Sequence, residues 1–452
     1  MPDNAPKRTR IRPAVSAILS SGELLETVFD PATPATGFVV FDGAGWRVEK
    51  RVELPSGVSL VPYSPENNLL THRVVLFPSA PDEYGSEEEL LLDVRRFIHR
   101  YVDLGELFEE VSAAYVLFTW IYDAFNEVPY LRVRGDYGSG KSRFLLTVGS
   151  LCYKPIFASG ASTVSPIFRI LDAVQGTLVI DEGDFRASDE KADIVKILNN
   201  GNARGFPVLR SEQTPSKEFN PRAFHVFGPK LIATRSLFDD RALESRCLSE
   251  DMGMRPLRKD IPINLPESFE EEARQLRNKL LLYRLQTRGK SRDLTAALPP
   301  GLEPRLSQIL VPLLSTVSSE ETRERLLSLA RRSGQALSAE RAMAIEAEVL
   351  AVLHELRAEG LPLSVSEITK RFANRHAAEY EYVVTPRWIG SVLRRKLMLT
   401  PQKRGGTFVI PASEHPKLAR LFEKYSVPSE QDIGDVGDVP QEDGTANLGT
   451  ET

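Results

Sequence analysis

The chain has few residues of the types that build disulfide frameworks or metal sites: among 452 residues there are two cysteines and six histidines. Cys152 and Cys247 are too few for a disulfide framework or a cysteine-based zinc site, and the histidines lack ligand spacing. No apolar run approaches the roughly 20 residues of a membrane span. The first ten residues also lack the apolar segment of a secretory signal. We therefore expect a cytoplasmic protein without a membrane partner.

The net charge of −5 is unevenly distributed. Residues 428–452 carry seven acidic side chains and no lysine or arginine, so the rest of the chain carries about +2. An acidic average is therefore no argument against a nucleic-acid partner. The hydrophobic fraction of 42% and the charged fraction of 26% are ordinary for globular proteins, and the length predicts several domains.

The pattern along the chain predicts an α/β fold with added modules. Alternating residues at Thr36–Phe41, Trp46–Glu53 and His72–Phe77 indicate strands, whereas the aromatic run Tyr115–Tyr122 has the continuous apolar character of a helix core. Short apolar runs alternate with helical segments after residue 129, which predicts a mostly parallel sheet. The predicted divisions are a flexible N-terminus (1–30), a small β-rich module (31–85), a nucleotide core with preceding helices (86–255), a helical bundle (256–336), a winged helix (337–425) and a disordered acidic tail (426–452).

The most informative motif is a complete phosphate-binding loop, G-x-x-x-x-G-K-[ST]. It lies between a predicted strand and a predicted helix, which is the context the motif requires. Its glycines allow successive backbone N–H groups to face a polyphosphate, while Lys141 can reach the β- and γ-phosphates and Ser142 can bind Mg²⁺. The sequence therefore predicts an ATP and Mg²⁺ site that includes Gly135, Asp136, Tyr137, Gly138, Ser139, Gly140, Lys141 and Ser142.

Two later strands end in polar residues that suit the same site. The strand Gly176–Asp181 is followed by Glu182, about forty residues after the loop. We assign Asp181 to the Mg²⁺ shell and Glu182 to the activation of the attacking water as general base. Thr234 ends the next apolar strand and can orient that water or sense the γ-phosphate, although a polar residue there is also an ordinary strand end.

The order of these motifs, closed by Ser245-Arg246-Cys247, resembles the core of AAA+ ATPases. In clamp loaders and related members, a Ser-Arg-Cys motif supplies an arginine finger to the ATP of a neighbouring subunit. The resemblance implies that Arg246 acts in trans, with Arg241 as a reserve candidate and a surface ion pair as the alternative. A finger supplied in trans implies a homo-oligomer, with a hexamer as the expected form.

A closer resemblance is to DNA primase/helicase-like ATPases of prokaryotic phages and plasmids. It is carried by Pro129–Val133, Leu198–Gly201 and Phe227–Lys230, and it covers roughly residues 86–317. No acidic metal-binding set of a primase is visible in the sequence, so the primase activity is not implied. In hexameric superfamily-3-type helicases, a hairpin at the place of residues 202–222 lines the central pore. That resemblance implies single-strand DNA contacts by Arg204, Arg210 and Lys217, unless the hairpin packs between subunits or Arg210 faces a neighbour's nucleotide.

The C-terminal part predicts a winged helix-turn-helix. Ser364 and Thr385 are suited to cap helices, Pro386 suits a first helical position, and Arg404-Gly405-Gly406 suits the turn of a hairpin. Residues 361–412 contain nine basic and three acidic residues, which favours duplex DNA over the alternative of a protein-binding winged helix. The candidate DNA contacts are Arg387, Arg394, Arg395, Lys403 and Arg404.

Together these features predict an oligomeric ATP-dependent DNA helicase or translocase of a mobile genetic element. The alternative is an ATP-controlled DNA-binding switch, such as a loader, regulator or defence ATPase, without processive unwinding. An ATPase scaffold whose winged helix recruits proteins is a third possibility.

Overall fold

The computed structural model describes residues 10–160, 162–181, 189–213, 219–238, 240–290, 304–317, 319–328, 331, 345–376, 384–425 and 427. The chain divides into two compact units, residues 1–333 and 334–452. Predictions that concern residues 1–9, Glu182, Lys217 and the tail from residue 428 lie outside the described residues.

The N-terminal part of unit 1 contains two small sheets, which three helices follow along the chain. Its elements are strands β1 (Arg10–Pro13), β2 (Ser16–Ile18), β3 (Leu24–Asp30), β4 (Ala35–Phe41), β5 (Trp46–Glu49), β6 (Val52–Glu53) and β7 (Val58–Val61), then helices α1 (Asn68–Thr71), α2 (Glu87–Tyr101) and α3 (Glu106–Thr119). Strands β2-β3-β4-β5 form one antiparallel sheet, and β1-β7-β6 form the other. Helix α2 begins with a reciprocal cap between Ser86 and Glu89.

Regular structure therefore begins at Arg10, inside the segment that the sequence predicted to be flexible through residue 30. The reason is tertiary: Glu26 of β3 is buried and accepts hydrogen bonds from Tyr153 (2.8 Å) and Arg284 (2.6 Å) of the following core. Val15, Leu24 and Val28 belong to the same hydrophobic core as the central sheet. The prediction of a strand at His72–Phe77 is also wrong. Within this segment only Val75 pairs with another strand residue, in an isolated bridge to Ile156.

The central sheet of unit 1 has five strands, all parallel, in the order β14-β8-β13-β10-β9. This confirms the predicted parallel α/β core. The elements are β8 (Tyr130–Arg134), α4 (Lys141–Gly149), β9 (Ile156–Ala158), α5 (Val164–Val174), β10 (Leu178–Ile180), α6 (Asp189–Asn200), β11 (Val208–Gln213), β12 (Phe219–Phe224), β13 (Lys230–Thr234), α7 (Arg241–Glu244) and β14 (Cys247–Asp251), followed by helices α8 (Ser268–Thr287), α9 (Pro304–Leu314) and α10 (320–328).

Burial explains why the core forms where it does. Strands β8, β10 and β13 are almost completely buried, as expected for a parallel sheet covered by helices on both faces, although β8 carries Arg132 and β13 carries Lys230. The aromatic side chains of the 115–122 run are also buried, which supports the helix-core interpretation of that run. The carboxyl ends of the parallel strands lie at one edge of the sheet, and that edge holds the site described below.

Unit 2 has its own hydrophobic core. Its elements are helices α11 (Ile345–Ala358), α12 (Val365–His376) and α13 (Pro386–Ser391), a π-helical turn (Val392–Lys396), strands β15 (Gln402–Arg404) and β16 (Thr407–Val409), and helix α14 (His415–Lys424). Strands β15 and β16 form an antiparallel hairpin. Both predicted caps are present, since Ser364 accepts from the backbone of Glu367 (3.1 Å) and Thr385 from that of Trp388 (3.2 Å).

Candidate functional site

The phosphate-binding motif forms the turn between β8 and α4, at the carboxyl edge of the central sheet. Gly138 and Gly140 have φ values of 75° and 92°, in the left-handed region that glycine adopts without strain. Gly135 is required by close approach, because a Cβ there would lie 2.8 Å from the carbonyl oxygen of Met252. The loop thus leads into α4 with its backbone N–H groups at the helix N-terminus, a position that favours anions.

Two side chains of the motif take positions suited to a magnesium-bound polyphosphate. Lys141 Nζ donates to the carbonyl oxygens of Gly135 (2.6 Å) and Asp136 (2.8 Å), so its ammonium group lies across the mouth of the loop. Ser142 Oγ donates to Asp181 Oδ2 at 2.7 Å. The two residues predicted to share a metal ion are therefore in direct contact.

Unsatisfied hydroxyl groups lie at the same edge. Thr234, the last residue of β13, is 1% exposed, and neither its Oγ1 nor the Oγ of Ser139 has a hydrogen-bond partner in the part of the chain that the structure describes. Buried hydroxyls normally have partners, so both atoms are available to a bound molecule. A cavity of about 330 Å³ opens here, lined by the loop from Tyr137 to Arg143 together with Asp181, Thr234 and Arg235.

Arg235 was not among the residues predicted from the sequence. Its guanidinium lies 4.0 Å from the ring centroid of Tyr137, a residue of the loop, which places a second cation at the cavity beside Lys141. The only signal in the sequence was its position directly after Thr234. Its contact with Tyr137, almost 100 residues earlier in the chain, depends on the sheet order and could not be read from local pattern.

A second cavity of about 440 Å³ adjoins the loop on its other side. It is lined by Gly138–Gly140 and by the segment after β14, whose side chains Met254, Leu257 and Ile263 are exposed and apolar. Arg143 holds this segment by donating to the carbonyl oxygens of Pro262 (3.1 Å) and Ile263 (2.6 Å). The sequence contained no motif for this pocket, because its apolar residues lack regular spacing.

Arg246 lies at the opposite end of the sheet from the loop. In the register of β14 with β8, Cys247 pairs with Tyr130 and Asp251 pairs with Arg134. Arg246 directly precedes Cys247, so it lies five strand residues before the level of Arg134, where the loop begins, or about 16 Å at the ordinary rise per residue. The Arg246 side chain donates to Asn199 Oδ1, and the Asn199 amide donates to Asp240. Arg246 therefore points away from the phosphate loop of its own chain.

Asp240 organises this end of the sheet. Burial alone would raise its pKa, but the hydrogen bonds from Asn199 and from the backbone N–H groups of Ala242 and Leu243 lower it. Asp240 is thus an ionised cap of the short helix α7, directly before the Ser-Arg-Cys motif. Of the other predicted catalytic residues, Glu182 lies outside the described residues, and the side chain of Arg241 is not described.

Of the residues predicted to contact a DNA strand at the hairpin, the structure describes Arg204 and Arg210, and both are bonded within unit 1. Arg204 precedes β11 and is not part of the β11–β12 hairpin; it donates to the carbonyl oxygens of Phe125 (2.8 Å) and Asp123. Arg210 lies on β11 and pairs with Asp193 of α6 at 2.8 Å. Placing Arg204 on the hairpin was an error of the sequence prediction, which could not locate the start of β11 between residues 202 and 208.

The predicted DNA contacts of unit 2 are placed differently. Arg387 lies in the first turn of α13, Arg394 and Arg395 lie in the π-helical turn, and Lys403 and Arg404 lie on β15; all are exposed. Within the described part of unit 2, no ion pair joins them to an acidic residue. The neighbouring cations Arg371, Arg375 and Lys396 do pair, with Glu359, Glu355 and Glu346 respectively.

No protein-only metal site is visible in the described ranges, where no three histidine, cysteine or acidic side chains converge. Among the helices that the structure describes, none combines the length and hydrophobicity that a membrane crossing requires.

No family model matches the sequence, and a search of curated proteins finds no match. Among solved structures, the apo form of the C-terminal region of phage NrS-1 is similar at 11% identity, over 85% of this chain and 96% of that chain, with a TM-score of 0.34. The helicase of the polyomavirus JCV is similar at 13% identity, over 55% and 60%, with a TM-score of 0.24. Both TM-scores are below 0.5, too low to assign a function from these similarities.

Proposed function

We propose that the chain binds ATP with Mg²⁺ at the carboxyl edge of the central sheet and hydrolyses it. The observation that carries this proposal is the pair of contacts in the phosphate loop: Lys141 across its mouth and Ser142 bonded to Asp181. The buried hydroxyls of Ser139 and Thr234, which have no hydrogen-bond partner among the described residues, support a polar ligand at this place. The cavity at this place is lined by the phosphate loop and by Asp181, the acidic residue that Ser142 contacts.

Each residue then has a separate task. The backbone N–H groups of the loop and Lys141 bind the phosphates, while Ser142 and Asp181 hold the metal ion. When bound, Mg²⁺ supplies neutralisation of the negative charge that develops during phosphoryl transfer. Thr234 orients the attacking water, and Glu182, by the sequence assignment, accepts its proton. The 440 Å³ cavity beside the loop has the size and apolar lining for the base of the nucleotide.

We assign Arg246 to the ATP site of a neighbouring subunit. The support is its place at the end of β14 that lies away from its own loop. An arginine finger stabilises charge on the transferring phosphoryl group, so hydrolysis would require assembly into a homo-oligomer, for which a hexameric ring is the expected form.

We further propose that unit 2 is a winged helix that binds duplex DNA. Its three helices followed by the β15–β16 hairpin have the order of that motif. The cations that pair with no described acidic residue lie on the third helix, its π-helical extension and the hairpin. Exposed cations without acidic partners are suited to phosphate contacts. With an ATPase core in the same chain, the function best supported is an ATP-dependent DNA helicase or translocase.

One observation favours the alternative of an ATP-controlled DNA-binding switch. Arg204 and Arg210, two of the three predicted strand contacts, are bonded within unit 1. A switch would need DNA contacts from unit 2 but none from the hairpin.

Strand displacement on a forked duplex, measured beside phosphate release, separates the two functions. A helicase displaces the strand in an ATP-dependent manner, and single-stranded DNA raises its turnover several-fold, roughly as expected for coupled translocation. The Lys141→Ala variant is the control and should do neither. ATP turnover that DNA changes without any strand displacement would support the switch, and turnover indifferent to all DNA would contradict both.

A further inference from the structure

The strand that leads into the phosphate loop carries a buried arginine, Arg132, whose side chain is fully inaccessible. Its guanidinium forms a bidentate pair with Glu244, one arm of which is 2.6 Å long, and donates from Nε to Ser249 Oγ at 3.0 Å. It also lies 4.9 Å from the ring centroid of Phe238. All these partners belong to the segment between β13 and the end of β14, and none belongs to the phosphate loop.

Glu244 in turn fixes the segment that carries Arg246. Besides pairing with Arg132, its carboxylate accepts the backbone N–H of Phe238 at 3.0 Å, which closes the segment 238–244 on itself. Arg246 follows two residues later, and its carbonyl oxygen accepts the N–H of Tyr130 at 3.0 Å. Strand β8 therefore holds the chain on both sides of Ser245, through Arg132 and through Tyr130.

The chemistry of the Arg132–Glu244 pair indicates a directional role. An apolar pair of similar volume could be buried at this place at a lower cost in free energy. Moving two charges out of water costs more than packing two hydrophobic side chains. A bidentate arginine–carboxylate pair instead fixes both distance and orientation. Here it fixes a turn whose last residue, Arg246, must meet a nucleotide on another subunit.

We propose that Arg132 is a positioning residue that sets the Arg246 finger in place for the neighbouring site. This inference rests on the proposed function, in which Arg246 acts in trans. The competing role for Arg132 is support of its own phosphate loop, three residues further along the chain. The two roles predict failure of different sites: the neighbour's site if Arg132 positions the finger, and its own site if it supports the loop.

The variant that tests this removes both charges at once, Arg132→Met with Glu244→Leu, so that no unpaired charge is left buried. We expect binding of ATP to change by less than about threefold and turnover to fall about tenfold or more, as for loss of an arginine finger. Arg132→Lys keeps the charge but not the bidentate geometry, so its loss of turnover should be smaller. This variant replaces the double variant in the test if the double variant does not fold.

Mixing experiments identify which site fails. Lys141→Ala subunits have a disabled loop and an intact finger, so in mixed rings they supply fingers to the variant's intact sites. With random mixing at equal amounts, about a quarter of the interfaces of a closed ring join an intact loop to an intact finger. The Arg246→Ala variant mixed with Lys141→Ala gives the reference level of recovery, and the Arg132 variants should recover to the same level.

The outcomes are distinguishable. Recovery with Arg246→Ala but none with the Arg132 variants shows that Arg132 supports its own loop, and overturns the inference alone. No recovery in either mixture, with assembly confirmed by light scattering, overturns the trans finger and the inference with it. Arg134→Met is the matched control, because it removes an ion pair between β8 and Asp251 of β14 without touching the finger segment; its turnover should stay within about twofold of the wild type.

Discussion

The predicted DNA contacts of unit 1 and those of unit 2 are all basic side chains, but the groups around them differ. In unit 1, Arg204 is bonded to backbone carbonyls and lies 4.9 Å from the ring centroid of Phe227, while Arg210 pairs with Asp193. In unit 2, the cations of the π-helical turn and of β15 include exposed residues that pair with no described acidic group. Arginine is well suited to both uses, because its planar group satisfies fixed acceptors as readily as it binds phosphate.

The comparison teaches that a basic residue near a hairpin is not evidence of a DNA contact. A guanidinium already bonded to protein must lose those bonds before it can bind a phosphate, whereas an exposed one exchanges only water and counterions. The availability of the guanidinium group for a phosphate thus separates the two sets of candidates.

The largest effect is expected in unit 2. The double change Arg394→Ala with Arg395→Ala should weaken duplex DNA binding about tenfold or more. Because two phosphate contacts are lost, the number of counterions released on binding, which sets the salt dependence of the affinity, should fall by about two. Fluorescence anisotropy at several salt concentrations measures both quantities. Lys396→Ala is the matched control, because this adjacent lysine already pairs with Glu346 at 3.1 Å, and its effect should be smaller. Equal losses for both changes would remove the distinction between paired and free cations.

A smaller effect of another kind is expected for Arg204→Ala. The variant loses the bonds to Phe125 and Asp123, so its free energy of unfolding should fall by roughly 1–2 kcal/mol. Its affinity for single-stranded DNA should stay within about twofold of the wild type, because the guanidinium is not available. Denaturant titration and anisotropy test the two parts. A large loss of DNA affinity without loss of stability would restore Arg204 as a strand contact.

A third effect concerns Lys230, a lysine buried in the core of unit 1. Burial lowers its pKa to about 7 from the ordinary value of 10.5. Between these values the unfolded chain binds more protons than the folded chain, so the free energy of unfolding rises with pH, by at most about 1.4 kcal/mol per pH unit. Lys230→Met should reduce this rise between pH 7 and 9 in denaturant titrations. An unchanged slope would show that burial does not lower the pKa of Lys230 in the folded protein.

The sequence predicted best what depends on neighbours along the chain. The phosphate loop, the parallel strand that precedes it and the caps at Ser364 and Thr385 are encoded within a few residues, and each is present in the structure. The aromatic run beginning at Tyr115 was assigned to the core for the same reason.

What the sequence did not predict depends on distant partners. The partners of Arg204 lie about 80 residues before it, and those of Glu26 lie in the core and in α8. The stack of Arg235 on Tyr137 and the Arg132–Glu244 pair likewise follow from the strand order. At such positions the sequence shows a charged side chain, but the local pattern does not predict which distant group it contacts.

The central claim is that Lys141, Ser142 and Asp181 form a magnesium-nucleotide site. Calorimetric titration of the full chain with ATP, with and without Mg²⁺, tests it most directly. We expect Mg²⁺-dependent binding that Lys141→Ala weakens by about tenfold or more, because the variant loses a phosphate-binding cation. Binding of equal strength in the wild type and in Lys141→Ala would contradict it.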